Sequence, residues 1–367
     1  MPEDRLASNG EFLGEPVPVP APFGRLTTMS DSEAKDAVDP LTRLAIKHGT
    51  DKWGPHFYTP LYHALFLPLR HRPVRLLEIG IGGYGLKTIG GASLAMWAEY
   101  FPDGLITGID IAEKRLTLDP RIKLFRGSQD DPTFLKNVCA ERGPFDVIID
   151  DGSHVPKQVV ASFNMLFPSL VDGGLYVIED VQTAFWVQFG GSMLHGGETV
   201  KLVRTIVECL NHAEIAVVDQ SRSLPAFAPQ IKSLRAFHNV LVVEKGDNRE
   251  PSNLAYDLRN PYALNAVAII EEQLRSVPTA EGMASLADVY LRGKNVAKAT
   301  EVCEQALSLW PTNVSVLQAA YTVATARRDI PAKIDYLERM LQIEPDNMEL
   351  HRALQQARAE QQVRPQG

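Results

Sequence analysis

The segments of this chain best able to do chemistry are IIDDGSH and VIEDVQT. They place Asp150, Asp151 and His154, then Glu179 and Asp180, at the ends of two short apolar runs. Such runs read as buried strands, and adjacent strands of an open α/β sheet deliver their C-terminal ends to one crevice. Carboxylates converging there repel one another unless a cation lies among them. Hard oxygen ligands favour magnesium, or manganese, over zinc. A metal so held could chelate two neighbouring hydroxyls and favour an alkoxide, and His154, three residues after Asp151, has the chemistry of the base that takes the proton. Taken singly these residues have plain structural explanations: an Asp-Gly turn, an acidic strand end, a packed histidine. Their joint placement points to catalysis.

A second motif, LLEIGIGGYG, holds Gly80, Gly82 and Gly85 in GxGxxG spacing after a predicted strand. Glycines there let the backbone turn tightly against a ligand, which suits the pyrophosphate of NAD or the methionine portion of S-adenosylmethionine. Glu78, two positions before the first glycine, resembles the first motif of class I methyltransferases, and a carboxylate there would repel phosphates. Asp110, ending the next strand, is placed to accept hydrogen bonds from ribose hydroxyls, with Ser128, Gln129 and Asp130 as neighbours of an adenine. Ser93, just after the loop, completes the expected cofactor-binding set.

These residues need a scaffold. VRLLEIG (74–80), LITGIDI (105–111), IKLFRG (122–127), FDVIIDD (145–151) and LYVIED (175–180) read as strands. SLAMWAEYF, DPTFLKNVCAERG and VPKQVVASFNMLFPSL between them have helical spacing. The order βαβ predicts a mostly parallel, Rossmann-like sheet covered by helices. IKSLRAFHN and NVLVVEKGD lie nearly end to end and must close it as an antiparallel edge hairpin. This unit is expected over residues 39–247, after a Pro-rich flexible arm at 1–38 and before a linker at 248–275. Over 276–362, two helical hairpins are implied. Pro311 and Pro345 are 34 residues apart, the tetratricopeptide period, with Leu286, Tyr290, Ala299 and Ala306 at that repeat's offsets and MELHRALQQARAEQQ as a polar capping helix. A small all-α domain of TPR-like repeats, open to a protein partner, is the expectation.

The formal net charge of −8 argues against a surface built to neutralise phosphates, so a nucleic-acid partner is not expected. Three scattered cysteines make neither a disulfide framework nor a metal motif, and no apolar run is long enough to span a bilayer. A reducing cytoplasm is the expected compartment.

In combination, HGTDKWGPHFYTPLYH, LLEIGIGGYG, GGASLAMWAEYFPDG, GIDI, GPFDVIIDDGSH, LFPSLVDGGLYVIEDVQT and the closing hairpin resemble the macrolide-sugar O-methyltransferases of the mycinamicin and tylosin type, over about residues 48–246. The resemblance implies a class I S-adenosylmethionine-dependent, magnesium-dependent enzyme, with Asp151, Glu179 and Asp180 as metal ligands and His154 as general base. It also implies a homo-oligomer. The chain departs from the mycinamicin type in lacking that enzyme's N-terminal auxiliary domain and in carrying the repeats. A sugar hydroxyl on a glycan, glycolipid or secondary metabolite is the expected acceptor. A non-sugar diol or phenol, NAD-linked oxidoreduction and a non-catalytic repeat adaptor are the alternatives. Trp53, Tyr58 and Trp186 are aromatic candidates for stacking on a sugar face, with core or lid packing as the equal alternative.

Overall fold

A computed structural model describes residues 38–253 and 256–363, so the expected arm at 1–38 lies almost wholly outside the described residues. The sheet comprises β1 (Arg75–Ile79), β2 (Leu105–Asp110), β3 (Ile122–Arg126), β4 (Phe145–Asp150), β5 (Leu170–Ile178), β6 (Ile231–Phe237) and β7 (Val240–Lys245). Its spatial order is β3-β2-β1-β4-β5-β7-β6, parallel through β5, with β7 antiparallel to both β5 and β6. The order reverses between β1 and β4, the topological switch point at which α/β sheets bind ligands. The expected edge hairpin is present, turned tightly at Asn239 with φ of 60°. Strand β5 starts at Leu170, five residues before the predicted start at Leu175, because VDGG continues the extended chain.

One face of the sheet is covered by α1 (Pro40–His48), α2 (Thr59–Phe66) and α3 (Ala92–Tyr100). The other is covered by α4 (Pro132–Arg142), α5 (Pro156–Leu166) and α6 (Gly197–Leu210), followed by the short α7 (His212–Val218). Strand side chains alternate between the two cores. Leu76 of β1 and Val147, Ile149, Leu175 and Val177 of β4 and β5 enter the first, and Leu77, Ile79, Ile148, Tyr176 and Ile178 enter the second. The same parity sends Glu78 and Glu179 toward the α1–α3 face and Asp150 toward the α5 face. Helix α1 starts on an Asp39 cap, whose Oδ1 accepts from Thr42 N, and stops at Gly49 in the left-handed region, which frees the next residues to turn down onto the strand ends.

The stretch 248–275 is not a plain linker. Asn260 caps a 16-residue helix, α8 (Pro261–Ser276), with Pro261 at its first turn. Its Ala263 and Val267 are buried, Val267 in the core of the helices that follow. Helical propensity and one apolar stripe outweighed the loop-like composition around it. There follow α9 (Ala280–Arg292), α10 (Val296–Leu309), α11 (Val314–Arg327), α12 (Ile330–Ile343) and α13 (Met348–Val363), joined by turns short enough to reverse direction each time. No helix among the described residues is long and apolar enough to cross a membrane.

Gly80, directly after β1, packs its Cα against the end of β4. At φ of +88° an added Cβ would lie 2.1 Å from the Asp151 carbonyl oxygen, whereas at Gly82, φ +72°, nothing lies within 4 Å. Gly80→Ala is therefore expected to destabilise the protein by upwards of about 1 kcal/mol, through backbone strain plus a forced shift of the β4 end. Gly82→Ala should cost only the strain. Urea midpoints of the two variants check this; equal losses would show that the contact with Asp151 is slack.

Candidate functional site

The C-terminal ends of β1, β4 and β5 converge as the sequence implied, but the cation among their carboxylates is a side chain of the protein. Lys52, on the segment after α1, is 1% exposed. Its Nζ donates to Asp151 Oδ2 at 2.8 Å and Glu179 Oε1 at 2.7 Å and lies 3.2 Å from Glu78 Oε1. The Glu78 contact is an ion pair without hydrogen-bond geometry, leaving Oε1 without a hydrogen-bond partner, while Glu78 Oε2 accepts from Ser93 Oγ at 2.9 Å. Tyr62 Oη donates to Glu179 Oε1 at 2.6 Å. Burial opposes the Lys52 charge, but Asp151, Glu179 and Glu78 outweigh it and hold the ammonium well above its ordinary range. Burial pushes Glu78 up to about 7 against the pull of Lys52, and raises Glu179 well above the carboxylate range with help from Asp151.

Asp180, just after β5, is partly buried. Tyr58 Oη donates to its Oδ1 at 2.6 Å, and an imidazole flanks each oxygen: His56 Nδ1 is 3.6 Å from Oδ1 and His154 Nε2 is 3.7 Å from Oδ2. Burial works against its charge, but Tyr58, Gln182 and the two histidines keep it below the ordinary range. The ligand atoms of Asp151, His154 and Asp180 all lie within 4.8 Å of one another, a grouping able to hold a metal ion. Glu179 stands beside this group, with Oε1 committed to Lys52 and Tyr62. Both His154 and Asp180 have left-handed backbones, with φ of 57° and 49°. Asp and His tolerate that region better than most residues, and such strain concentrates where a side chain must be aimed.

A cleft of about 960 Å³ opens from this cluster. Its walls include Gly80, Gly82, Ser93, Asp110, Ser128, Gln129, Asp151 and His154, so most of the expected cofactor and centre residues share one cavity. Two expected cofactor residues do not line it. Glu78 is fully buried behind the wall with Lys52, because strand parity points it into the α1–α3 layer, and Asp130 is turned aside to Ser128 and Gln158. Asp110 uses Oδ2 for Ile81 N and Oδ1 for Ala112 N, which fixes the glycine loop and leaves lone pairs on both oxygens. Gln129 is buried. Its amide donates to Asp150 and Ser162 and its Oε1 accepts from Ser153 N at 2.8 Å, so it braces the 151–154 loop. Asp150, pushed up to about 6 by burial against hydrogen bonds from Ser162, Gly152 and Gln129, belongs to that brace on the opposite face.

Of the aromatic candidates, Tyr58 offers no free face: it is buried, stacked by His56 at 4.8 Å and tied to Asp180. Trp53 packs edge-on to Phe57, and Trp186 is exposed. Lys52, His56 and Tyr62 escaped sequence reading as functional residues. Strand parity could have paired Glu78 with Glu179, but nothing local shows that a segment far upstream delivers their counter-ion.

No protein-family model matches the chain. It is 44% identical over 215 residues to 8-demethyl-8-(2-methoxy-alpha-L-rhamnosyl)-tetracenomycin-C 3'-O-methyltransferase of Streptomyces olivaceus, covering 57% of this chain and 55% of that one. It is 44% identical over 215 residues to demethylmacrocin O-methyltransferase of Streptomyces fradiae, covering 57% and 54%. Against mycinamicin VI 2''-O-methyltransferase of Micromonospora griseorubida the identity is 42% over 214 residues, covering 57% and 53%. The chain thus spans a little over half the length of these curated relatives. Among solved structures, MycE methyltransferase of the mycinamycin biosynthetic pathway, in complex with Mg and SAH, superposes with a TM-score of 0.55 at 39% identity, over 63% of this chain and 60% of that one. The same enzyme with Mg, SAH and mycinamycin VI gives 0.54 at 38% identity, over 62% and 60%. The sheet and its helices have the class I methyltransferase fold.

The Lys52 cluster generates a pH-dependent expectation. Glu78 and Glu179 titrate higher folded than unfolded, so their contribution to stability is fully present in acid, below the ordinary carboxylate pKa, and is lost as pH rises through the folded value, about 7 for Glu78. Lys52→Met removes the cation and raises both further. The variant should be destabilised at pH 8 by about 3–5 kcal/mol, the scale for breaking a buried pair, with the deficit shrinking toward pH 5 as the carboxyls protonate. Chemical denaturation at the two pH values tests this; a deficit independent of pH would mean the cluster is not charge-coupled through Lys52.

Proposed function

We propose that the chain is an S-adenosylmethionine-dependent O-methyltransferase, assisted by a divalent cation, that acts on a hydroxyl of a sugar carried by a larger molecule. The observation that carries this reading is an acid and imidazole centre, Asp151, His154 and Asp180, of which Asp151 and His154 line the cleft that also contains Gly80, Gly82 and Asp110. About 960 Å³ is room for a nucleoside-sized cofactor with an acceptor beside it. The names of the relatives support both cofactor and acceptor class: one is named for a rhamnosyl 3'-hydroxyl, and the MycE complexes hold Mg and SAH.

The donor set fits a hard cation, since it is made of carboxylate oxygens. Asp151, Glu179 and Asp180 would hold it, Glu179 with the oxygen not bonded to Lys52 or Tyr62. When bound, magnesium supplies positive charge that lowers the proton affinity of an acceptor hydroxyl. The chain's own groups do the rest. Lys52 and Tyr62 fix Glu179, Lys52 also fixes Asp151, and Tyr58 fixes Asp180, so the acidic centre is preorganised. Asp110 would accept from the ribose hydroxyls, and Ser128 and Gln129 would stand beside the adenine, while Ser93 would act from the cleft wall and Glu78 and Asp130 only indirectly. His154 Nε2 takes the acceptor proton. When bound, S-adenosylmethionine would supply an electrophilic methyl group on a sulfonium able to leave with the bonding electrons.

The helices over 280–363 we read as two tetratricopeptide-like pairs closed by a polar helix. The 34-residue spacing of Pro311 and Pro345 and the burial of Leu286, Tyr290, Ala299 and Ala306 support this, and such pairs would offer a protein partner a surface. We take the catalytic unit, over 39–247, to be cytoplasmic, as its three scattered cysteines suggest, and a homo-oligomer, as the resemblance implies.

Transfer of labelled methyl from S-adenosylmethionine to glycosylated acceptors, with and without magnesium, tests the function; activity in protein verified free of divalent metal would sink the metal-assisted form. Asp151→Asn and Asp180→Asn should weaken magnesium binding in calorimetry more than they weaken cofactor binding. His154→Ala should lower turnover roughly 10²- to 10⁴-fold, the usual worth of a positioned general base, while leaving donor binding near normal. Near-normal turnover in that variant would assign the proton to another acceptor.

A further inference from the structure

The loop over 81–90, between β1 and α3, supplies the cleft wall with Gly82, Tyr84, Gly85, Thr88 and Gly90. Its backbone runs left-handed through Gly82, Gly83 and Tyr84, with φ of 72°, 69° and 48°, a run that builds no regular ladder of hydrogen bonds. Leu86 N donates to Gly83 O at 3.0 Å, and Gly91 N closes the base onto Ile81 O at 2.7 Å. The two limbs touch, since a Cβ on Gly83 would lie 2.1 Å from Ile89 O. What gathers the carbonyls is Lys114, partly buried just past the end of β2. Its Nζ donates to Gly82 O, to Tyr84 O at 2.7 Å, and to Leu86 O and Ile89 O at 3.2 Å each. An ammonium has three hydrogens, so these carbonyl dipoles converge on Lys114 as they would on a bound monovalent cation. The neighbours of Lys114 reinforce the grip: Arg115 N donates to Lys87 O at 2.7 Å, and Glu113 pairs with the Lys87 ammonium. Lys114 itself stands behind the loop rather than in the cleft lining.

We propose that Lys114 is a positioning residue for the cofactor: its ammonium holds the 81–90 loop in the shape that S-adenosylmethionine fits, without touching the cofactor. This rests on the proposed function, which puts S-adenosylmethionine in this cleft. Carbonyl oxygens turned to one point repel one another, so a loop of this shape needs a cation at its centre. The loop cannot supply it, because its own lysine, Lys87, is drawn out to Glu113. With the ammonium gone the carbonyls turn to water, and the glycines let the backbone follow. Cofactor binding must then order the loop afresh, and affinity falls by that cost. The strand end that carries Asp110 thus also sets the wall beside it, through Asp110 on Ile81 N and through Lys114 on the loop carbonyls.

The test uses the full-length protein, hydrogen exchange of the ligand-free form, and calorimetry with S-adenosylhomocysteine as the probe. Lys114→Met keeps the stem and loses the ammonium. Its 82–90 amides should exchange about tenfold faster or more, while the sheet amides and the urea midpoint stay at the wild-type level. It should bind S-adenosylhomocysteine about tenfold more weakly or worse, the scale of losing a charge-assisted hydrogen bond. Lys114→Ala should show both losses, and propylammonium, which replaces the missing Cγ, Cδ, Cε and Nζ, should reverse them. Lys114→Met, whose stem fills that space, should not respond. Unchanged loop exchange in Lys114→Met would overturn the proposal, and so would faster exchange with unchanged affinity. A rise spread across the sheet with a lower urea midpoint would make Lys114 a general stabiliser and overturn it too. So would failure of propylammonium to restore Lys114→Ala, or equal recovery with tetramethylammonium, which has no N–H to donate. Loop exchange that answers to Lys114 in a protein that binds no S-adenosylhomocysteine would uphold the clamp on the loop and count against the methyltransferase reading instead.

Discussion

Everything at the C-terminal end of this sheet depends on one buried ammonium. Three parallel strands deliver Glu78, Asp151 and Glu179 to nearly the same point, and without Lys52 their mutual repulsion and lost hydration would drive the strand ends apart or neutralise the acids. The segment that carries Lys52 is bound to the sheet by this requirement. It brings with it Tyr62 on Glu179 and His56 and Tyr58 on Asp180. A region outside the βα repeat therefore completes the acidic centre as much as the strands do.

The division of labour among the carboxylates follows from that constraint. Glu78 is held inside the protein, away from the cleft wall, while Asp151 and Asp180, both partly buried, remain near His154. On the opposite face Asp150, Gln129 and Ser162 form a separate polar brace under the 151–154 loop. The two networks hold the loop from both sides, so its left-handed turn at His154 is maintained against its backbone cost. The same logic recurs after β5, where Asp180 is left-handed and the apolar 185–194 segment is pinned by its own backbone bonds.

Much of this was legible in the chain itself. The seven strands, their βα order and the closing hairpin were set by short β-branched runs and by the lack of room for a crossover before the last strand. The convergence of Asp151, His154, Glu179 and Asp180 followed from strand ends in a parallel sheet, and Gly80 and Asp110 from the βα turn between them. Strand alternation, a period of two, even contains the information that Glu78 and Glu179 share a face and Asp150 does not.

Tertiary structure alone decided what lies opposite those faces. Lys52 reaches Asp151 and Glu179 across 99 and 127 residues, a distance over which no local pattern carries a signal. Of the two readings open for Tyr58, stacking on a sugar or packing in the core, the fold takes the second and makes it a buried donor to Asp180, and the stretch read as linker folds as α8 because the neighbouring helices offered a core for Val267. Composition and periodicity determine which segments become strands and helices and which of their faces are apolar, since those depend on near neighbours. Which charge neutralises which, and which aromatic face stays open, depends on contacts made only after the chain has closed on itself, and so is settled only in the folded protein.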